Sequence, residues 1–303
     1  MAQPLRTYAK DLLEAQRYPD RRVYPGGPPE VPYDEAGWTL PFKMGIRTLA
    51  AAKPFDAILD LVKAVEVPKG RIVSGGPATS VVFSSDSNAA AIAVNRLLKA
   101  GMAITWTDDA VNAGAATLPR NSFAVAIGKA GLDPIRKVVE ELALKAYGVA
   151  APAKGRRLVS PRVGLYQPWG GSADEGWTRW VFEQFELPFR TLHAADVRAG
   201  NLAATLDAIV LPSMSAYELR TGEASPRVAS PTLPPPYAGG LGNDGVTALA
   251  ALVRDGGTLV LVNETTLFGI DKLGLPVTDA LKGLRAERTW GAPRPATRLA
   301  RWR

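Results

Sequence analysis

The sequence predicts an α/β protein built as a small α/β unit followed by a doubly wound parallel sheet. Three observations carry the prediction. Residues 161–189 read as strand, glycine turn and capped helix, the opening unit of an open α/β sheet. Apolar runs of strand length alternate with amphipathic runs of helix length through residues 54–284. Clusters of Pro and Gly punctuate these runs and rule out long uninterrupted elements.

Leu5 to Gln16 places Leu5, Tyr8, Leu12 and Leu13 on one side of a short helix. Tyr18 to Tyr33 follows with five prolines and the pair Gly26-Gly27, a composition that holds neither helix nor sheet. Residues 1–53 are therefore expected to form a Pro/Gly-rich connector running over a surface, with its tyrosines and Trp38 as anchors. A small α/β domain is expected over 54–150. Thr79–Phe83 is strand-like, and Asp86, Ser87 or Asn88 caps a helix over Ala89–Ala100 that Gly101 ends. Met102–Trp106 and Ser122–Ile127 are two further strands, the first two strands being joined by a parallel crossover. Asp133-Pro134 sets a cap and an N1 proline before a helix over Ile135–Tyr147. Asp108-Asp109 follows the second strand. A hard cation there would need several more converging oxygens, so a solvated turn is the simpler reading.

Ala150–Ser160, rich in Ala, Lys, Arg and Pro, reads as a boundary, and the second domain is expected over 160–284. Val163–Tyr166 is a short buried strand broken by Gly170-Gly171. Ser172 and Glu175 have the spacing of a capping box. Trp177, Trp180, Val181 and Phe185 then follow at helical spacing as one wide apolar face, until Pro188 stops the helix. Further strands are expected near Phe189–Leu192, at Leu206–Leu211 and at Thr258–Val262. His193-Ala-Ala-Asp196 leads into a polar helix, Ser213–Asn243 reads as a long loop, and Asp244 caps a helix over Gly245–Arg254. This alternation is flavodoxin-like, an arrangement whose ligands sit at the carboxyl ends of the strands.

Composition bounds the chemistry. The 303 residues are 47% hydrophobic and 21% charged, with a net charge of +7. Six Arg and one Glu between Arg285 and Arg303 supply +5 of that charge, so a basic, disordered tail is expected there rather than a nucleic-acid-binding face. No apolar run approaches the roughly 20 residues of a membrane span. The first residues lack the apolar core of a signal peptide, so export would have to be directed from elsewhere. The chain has no cysteine and one histidine, His193, which excludes disulfides, thiolate metal sites and thiol nucleophiles.

Several strings are specific enough to suggest kinship: Asp11-Leu-Leu-Glu-Ala-Gln16, Tyr24-Pro-Gly-Gly-Pro-Pro29, Gly37-Trp-Thr-Leu-Pro41, Ala93-Val-Asn-Arg-Leu-Leu-Lys-Ala-Gly101, Gly164-Leu-Tyr-Gln-Pro-Trp169, Asp174-Glu-Gly-Trp-Thr-Arg-Trp180 and Asp207-Ala-Ile-Val-Leu-Pro212. Over roughly Leu5–Leu284 the chain resembles the segment downstream of the catalytic domain in large bacterial zinc carboxypeptidase-like proteins of the carboxypeptidase A type. The resemblance implies that the second domain is class I glutamine amidotransferase-like. It also implies that zinc belongs to a separate N-terminal carboxypeptidase domain, missing here and a natural partner, and that the parent protein is exported.

Neither catalytic centre carries over. A carboxypeptidase A-like site needs a His-x-x-Glu pair and a second His, with water in the open position. His193-Ala-Ala-Asp196 offers the spacing with a shorter acid and no second imidazole. No metal, cofactor or catalytic residue is therefore expected. An amidotransferase places a Cys on a strained turn after a strand. The matching turn, Asn263-Glu264-Thr265-Thr266, has no thiol, and Glu264 and Thr265 read as the cap of the next helix. The alternative is a divergent amidotransferase-like hydrolase using Glu264, Thr265 and His193. A third reading is a structural module or truncated product with no activity, since the pattern dissolves after Leu284 where a further strand is expected.

The leading expectation is a non-catalytic accessory or substrate-binding region. Gln167, Trp169, Ser172, Asp174 and Glu175 fall at the carboxyl end of the first strand of the second domain, and His193, Asn263 and Glu264 at the ends of its neighbours. An aromatic plate with carboxylates and an amide suits a peptide or a sugar-like ligand. The competing reading packs Trp169 under the Pro-rich loop and leaves Asp174 and Glu175 to complement the helix dipole.

Overall fold

A computed structural model describes residues 4–15, 19–27, 30, 40–51, 53, 55–58, 60, 63–114, 116–151, 154–223 and 233–279. Residues up to Val65 belong to one compact unit, and Glu66–Thr278 to another. In the first, α1 (Arg6–Leu13) is the expected short helix, and α2 (Leu40–Met44) is little more than one turn. The connector between them doubles back at Arg21 and Glu30, where the Glu30 amide donates to the Arg21 carbonyl (2.9 Å) and the side chains pair at 3.0 Å. Tyr24 is exposed. Tyr18, Tyr33, Trp38 and the basic tail 285–303 lie outside the described residues.

The second unit opens with β1 (Arg71–Val73), β2 (Ser80–Phe83), α3 (Asn88–Lys99) and β3 (Ile104–Thr107). Then come β4 (Val111–Asn112), β5 (Thr117–Leu118), β6 (Phe123–Ala126), α4 (Asp133–Glu141), β7 (Lys145–Val149) and β8 (Gly155–Arg157). Six of these strands form a mixed sheet in the order β1-β7-β2-β6-β3-β8, in which only β1 and β7 pair in parallel. The expected parallel crossover through α3 is present, but its two strands are not neighbours. β2 and β3 run the same way, but β6 lies between them, antiparallel to both. The path β2-α3-β3-β6-α4-β7 is the split βαβ arrangement.

The helix expected over Ile135–Tyr147 is also shortened. It ends at Glu141, Ala143 turns the chain at φ 53°, and Lys145–Val149 becomes a strand between β1 and β2. Asp133 sits inside the first turn rather than at the cap, its carboxylate accepting from Arg136 at 2.8 Å. Ser87 is the cap of α3, accepting from the Ala90 amide. Val81 and Phe83 of β2 pack with α3 and α4 on one face, while Val82 and Tyr147 pack on the other with Leu118 of the β4–β5 hairpin. β8 falls inside the stretch read as linker and pairs with β3.

The remaining strands are β9 (Val163–Tyr166), β10 (Phe189–Leu192), β11 (Ala208–Leu211) and β12 (Thr258–Leu261). The helices between and after them are α5 (Ala173–Gln184), α6 (Ala194–Arg198), α7 (Ala216–Thr221), α8 (Gly242–Arg254) and α9 (Thr265–Leu273). All four strands pair in parallel in the order β10-β9-β11-β12. Numbered within the domain that order is 2-1-3-4, the beginning of the flavodoxin-like order. The fold is thus α/β, a mixed sheet followed by a parallel one. Arg96 of α3 links the two, pairing with Glu141 at 2.7 Å and with Glu186, beyond α5, at 2.5 Å.

The two faces of the parallel sheet are unequal. α6, α7, α8 and α9 cover one face through Val197, Leu219, Leu249, Leu252 and Phe268. On the other, Val163, Leu165 and Val210 pack with Phe182 of α5. The apolar face expected of α5 is not what it buries: Trp177 is 68% and Trp180 51% exposed. The inward stripe is instead Glu175, Arg179 and Phe182, spaced i, i+4, i+7. Glu175 is 3% exposed and pairs with Arg179 at 2.6 Å, and Arg179 also donates to Thr191 and lies over the Phe189 ring. A charge taken out of water needs its partner, and here the pair satisfies itself against the sheet. Two further differences concern the loops. Ser213–Asn243 contains α7, capped by Ser215, and Asp244 lies within the first turn of α8 rather than at its cap.

At the opposite end of the strands, Asp207 receives the Arg162 backbone amide (2.8 Å) and its guanidinium (2.6 and 3.1 Å), which hold its carboxyl down to about 2 from 3.8. A depressed carboxyl adds stability above its ordinary pKa and loses it as pH falls through the folded value. Asp207→Asn is therefore expected to be less stable than the parent at neutral pH, the gap narrowing as urea melts are stepped from neutral pH towards about pH 3. A gap independent of pH would contradict this account of the pair.

Candidate functional site

The carboxyl ends of the four parallel strands form a crest, and each strand delivers one loop to it. β9 delivers Gln167, Trp169 and the start of α5, and β10 delivers His193. β11 delivers Ser213 and α7, while β12 delivers Asn263 and Glu264. Adjacent strands lie roughly 5 Å apart, so residues one or two positions past their ends meet.

Trp169 and His193 meet face to face, with ring centroids 3.6 Å apart and planes 12° from parallel. Tyr237, from the Pro-rich loop, stands against Trp169 edge-on at 4.7 Å and 80°. Trp169 nevertheless remains 43% exposed, so the loop borders the plate without covering it. His193 Nδ1 lies 2.9 Å from the Gln167 carbonyl. A carbonyl only accepts, so Nδ1 is the donor in this contact. The Gln167 amide in turn donates to the Leu192 carbonyl (2.8 Å), which fixes the two loops to each other.

The His-x-x-Asp spacing has a structural cause. Asp196 accepts from the His193 backbone amide at 2.8 Å and closes the first turn of α6. Ser172 accepts from the Glu175 amide at 3.2 Å, which is one half of the expected capping box. Glu175 does not return the bond, because its carboxylate is committed to Arg179. Ser172 and Glu175 thus belong to the scaffold, and Glu175 is too buried to meet a ligand. Asp174 is exposed at the mouth of the crest. Asn263 adopts φ 48° and donates to Ser213 Oγ at 3.0 Å, closing the β11 and β12 loops together.

Thr265 does not provide the alternative nucleophile. Its hydroxyl is wholly buried, donates to the Pro212 carbonyl at 2.5 Å and accepts from the Met214 amide at 3.1 Å. With both roles taken it has no proton to give His193. Nor do Glu264 and Thr265 cap α9 through their side chains, since no side-chain cap bond is made there.

Sequence reasoning missed Tyr237 and Glu218. Tyr237 lies in a Pro-rich loop without periodicity. Glu218 carried a usable signal, because Ser215-x-x-Glu218 has helix-start spacing and Ser215 does accept from the Glu218 amide at 3.1 Å. Burial raises the Glu218 carboxyl above the ordinary range, the Ser215 backbone amide donating to the carboxylate opposes this, and the negative charges of Glu264 and Asp174 add to the rise. Glu264 and Asp174 are therefore both within electrostatic reach of Glu218. Tyr166, at the end of β9, is 1% exposed, and burial pushes its hydroxyl up to about 12, with Arg198 opposing and Glu218 adding to the rise.

Concavities occur elsewhere as well. A groove of about 710 Å³ on the six-stranded sheet is lined by Gly75, Gly76, Asp109, Val111, Gly148 and Lys154. Its lining comes from β4, β7 and the loops beside them, and Asp108 is turned towards Arg156 at 3.9 Å. The crest is the stronger candidate because its rings and acids converge from four strand ends. Among the described residues no group of three or more His, Asp or Glu could hold a metal ion, and no helix is long and apolar enough to cross a membrane.

No family model, curated protein or solved structure matches the chain.

Proposed function

We propose that this chain is a non-catalytic, ligand-binding accessory region of a zinc carboxypeptidase-like protein, and that the crest of its parallel sheet holds a peptide or sugar-like ligand on Trp169. The observation that carries the binding half is the half-exposed Trp169, held flat on His193 and flanked by Tyr237. A rigid aromatic face with polar groups at its margin takes up the apolar side of a sugar ring or a peptide side chain at small entropic cost. The non-catalytic half rests on the chemistry of the residues: no thiol, one imidazole with Nδ1 already bonded, and a sealed threonine hydroxyl. The parentage rests on the sequence strings quoted above.

A ligand that binds only the folded state raises the melting temperature by mass action. A thermal-shift screen of short peptides and cell-wall-type saccharides is expected to give upward shifts in the parent that disappear in Trp169→Ala. Turnover of peptides or glutamine should stay at the blank. Shifts that persist undiminished in Trp169→Ala would remove the crest from the proposal, and measurable turnover would remove the word non-catalytic.

A further inference from the structure

The edges of the two larger sheets are not alike. β1 and β8 border the six-stranded sheet, while β10 and β12 border the four-stranded one. Arg71 stands on β1, Arg156 and Arg157 on β8, and Arg190 on β10, which Pro188 precedes. Charges and prolines of this kind keep a bare strand from pairing with another chain. β12, Thr258-Leu-Val-Leu261, carries neither. The Thr258 and Val262 amides donate to the Asp207 and Leu211 carbonyls along β11. The alternate residues Leu259 and Leu261 therefore turn their amides and carbonyls outward, where no described strand meets them. Beside this edge runs an apolar groove of about 150 Å³, lined by Val253 of α8, by Leu259 and Leu261, and by Leu273 and Leu275 at the end of α9. Open backbone groups next to an apolar groove are a template for an added strand.

The charges around the groove say what covers it. Arg254 stands in its wall with Asp255 next in the chain, and Asp271 and Lys272 adjoin Leu273. All four are exposed, and among the described residues none of their side chains makes an ion pair or hydrogen bond. Two cations and two anions complement a surface of the same make-up, whereas a partner of single sign would meet repulsion. We propose that β12 pairs with β12 of a second copy of this chain, antiparallel across a two-fold axis at Val260, so that two four-stranded sheets become one of eight strands. Such a contact sets one patch against itself, which a neutral, apolar strand tolerates and a guarded one does not. Leu259 then lies opposite Leu261 of the other copy and exchanges both backbone bonds with it. Val260 meets its own counterpart in the close, non-hydrogen-bonded position. Both faces stay apolar, with leucines on the side of α8 and α9 and valines on the side of α5. The inference is independent of what the crest binds.

Sedimentation of the full chain between about 1 and 100 μM is expected to show a monomer–dimer equilibrium. Val260→Lys gives β12 the kind of charge that guards the other edges and is expected to raise the dissociation constant at least about 10-fold. Thr258→Lys, at an exposed position, serves if the first variant folds poorly. A second readout locates the joint. The chain has no cysteine, so Val260→Cys supplies a single thiol per copy. Residues opposed in the close position have Cα atoms roughly 4.5 Å apart, within reach of a disulfide. Mild oxidation with diamide is expected to link the Val260→Cys chains in pairs, while Arg190→Cys on β10 stays unlinked. A full chain that is monomeric over the whole range would overturn the inference. Amide exchange then shows what became of the edge: slow exchange at Leu259 and Leu261 assigns it to another segment of this chain, and fast exchange leaves it bare. A dimer that the Lys variants leave intact and that Val260→Cys does not link would place the joint elsewhere, which overturns it equally.

Discussion

Phe268→Ala is expected to destabilise the unit 66–278 by about 3–5 kcal/mol. Phe268 lies on α9, is fully buried, and belongs to the core shared with Leu211, Leu249, Leu261 and Leu219. Its removal takes away the burial of a whole aromatic ring and leaves a cavity among side chains fixed by two strands and two helices, where collapse is limited. The effect should reach the crest as well, because α9 begins at Thr265 and its position sets the Asn263 turn. Chemical denaturation measures the loss through the midpoint at constant slope. A loss below about 1 kcal/mol would mean that α9 is not held by this core.

Thr265→Val is expected to cost about 2–3 kcal/mol, because it leaves the Pro212 carbonyl and the Met214 amide without their partner inside the fold. Valine has nearly the shape of threonine, so the change isolates the hydroxyl. Thr265→Ser keeps both hydrogen bonds and gives up only a methyl, about 1 kcal/mol. The order of the two variants separates a structural hydroxyl from a nucleophilic one. A structural hydroxyl makes valine the worse substitution in denaturation. If valine proved harmless to stability while removing a hydrolytic activity, the account of Thr265 would be wrong.

Much of the parallel sheet is legible in the sequence because its strands are apolar runs with Pro or Gly at their borders. Val163–Tyr166 stands between Pro161 and Gly170, and Leu211 is followed by Pro212. The crest follows from this, since the ends of parallel strands bring Trp169 and His193 together however far apart they lie in the chain. The six-stranded sheet is less legible. β4, β5 and β8 have two or three residues each and carry no measurable alternation. β7 is disguised as the end of α4, because Ile135, Val138 and Val139 set a helical rhythm that Ala146 happens to continue, and only the positive φ at Ala143 breaks it.

The inward face of α5 is misread for a different reason. Tryptophans at helical spacing show that a stripe exists but not which way it faces. The Glu175–Arg179 spacing was the competing signal, and the carboxylate–guanidinium pair, backed by Thr191 and Phe189, displaced the indoles from the sheet. Glu218 and Tyr237 were hidden in a stretch whose prolines made it read as loop throughout.

The central claim is that the crest binds and does not react. Amide chemical-shift mapping during titration with a peptide or saccharide that raises the melting temperature tests it most directly. The expected result is a set of perturbations confined to Gln167, Trp169, His193, Glu218 and Asn263, with the ligand unchanged at the end of the titration. Perturbations centred on Gly75, Gly76 and Lys154 of the six-stranded sheet, or a ligand cleaved during the experiment, would contradict it.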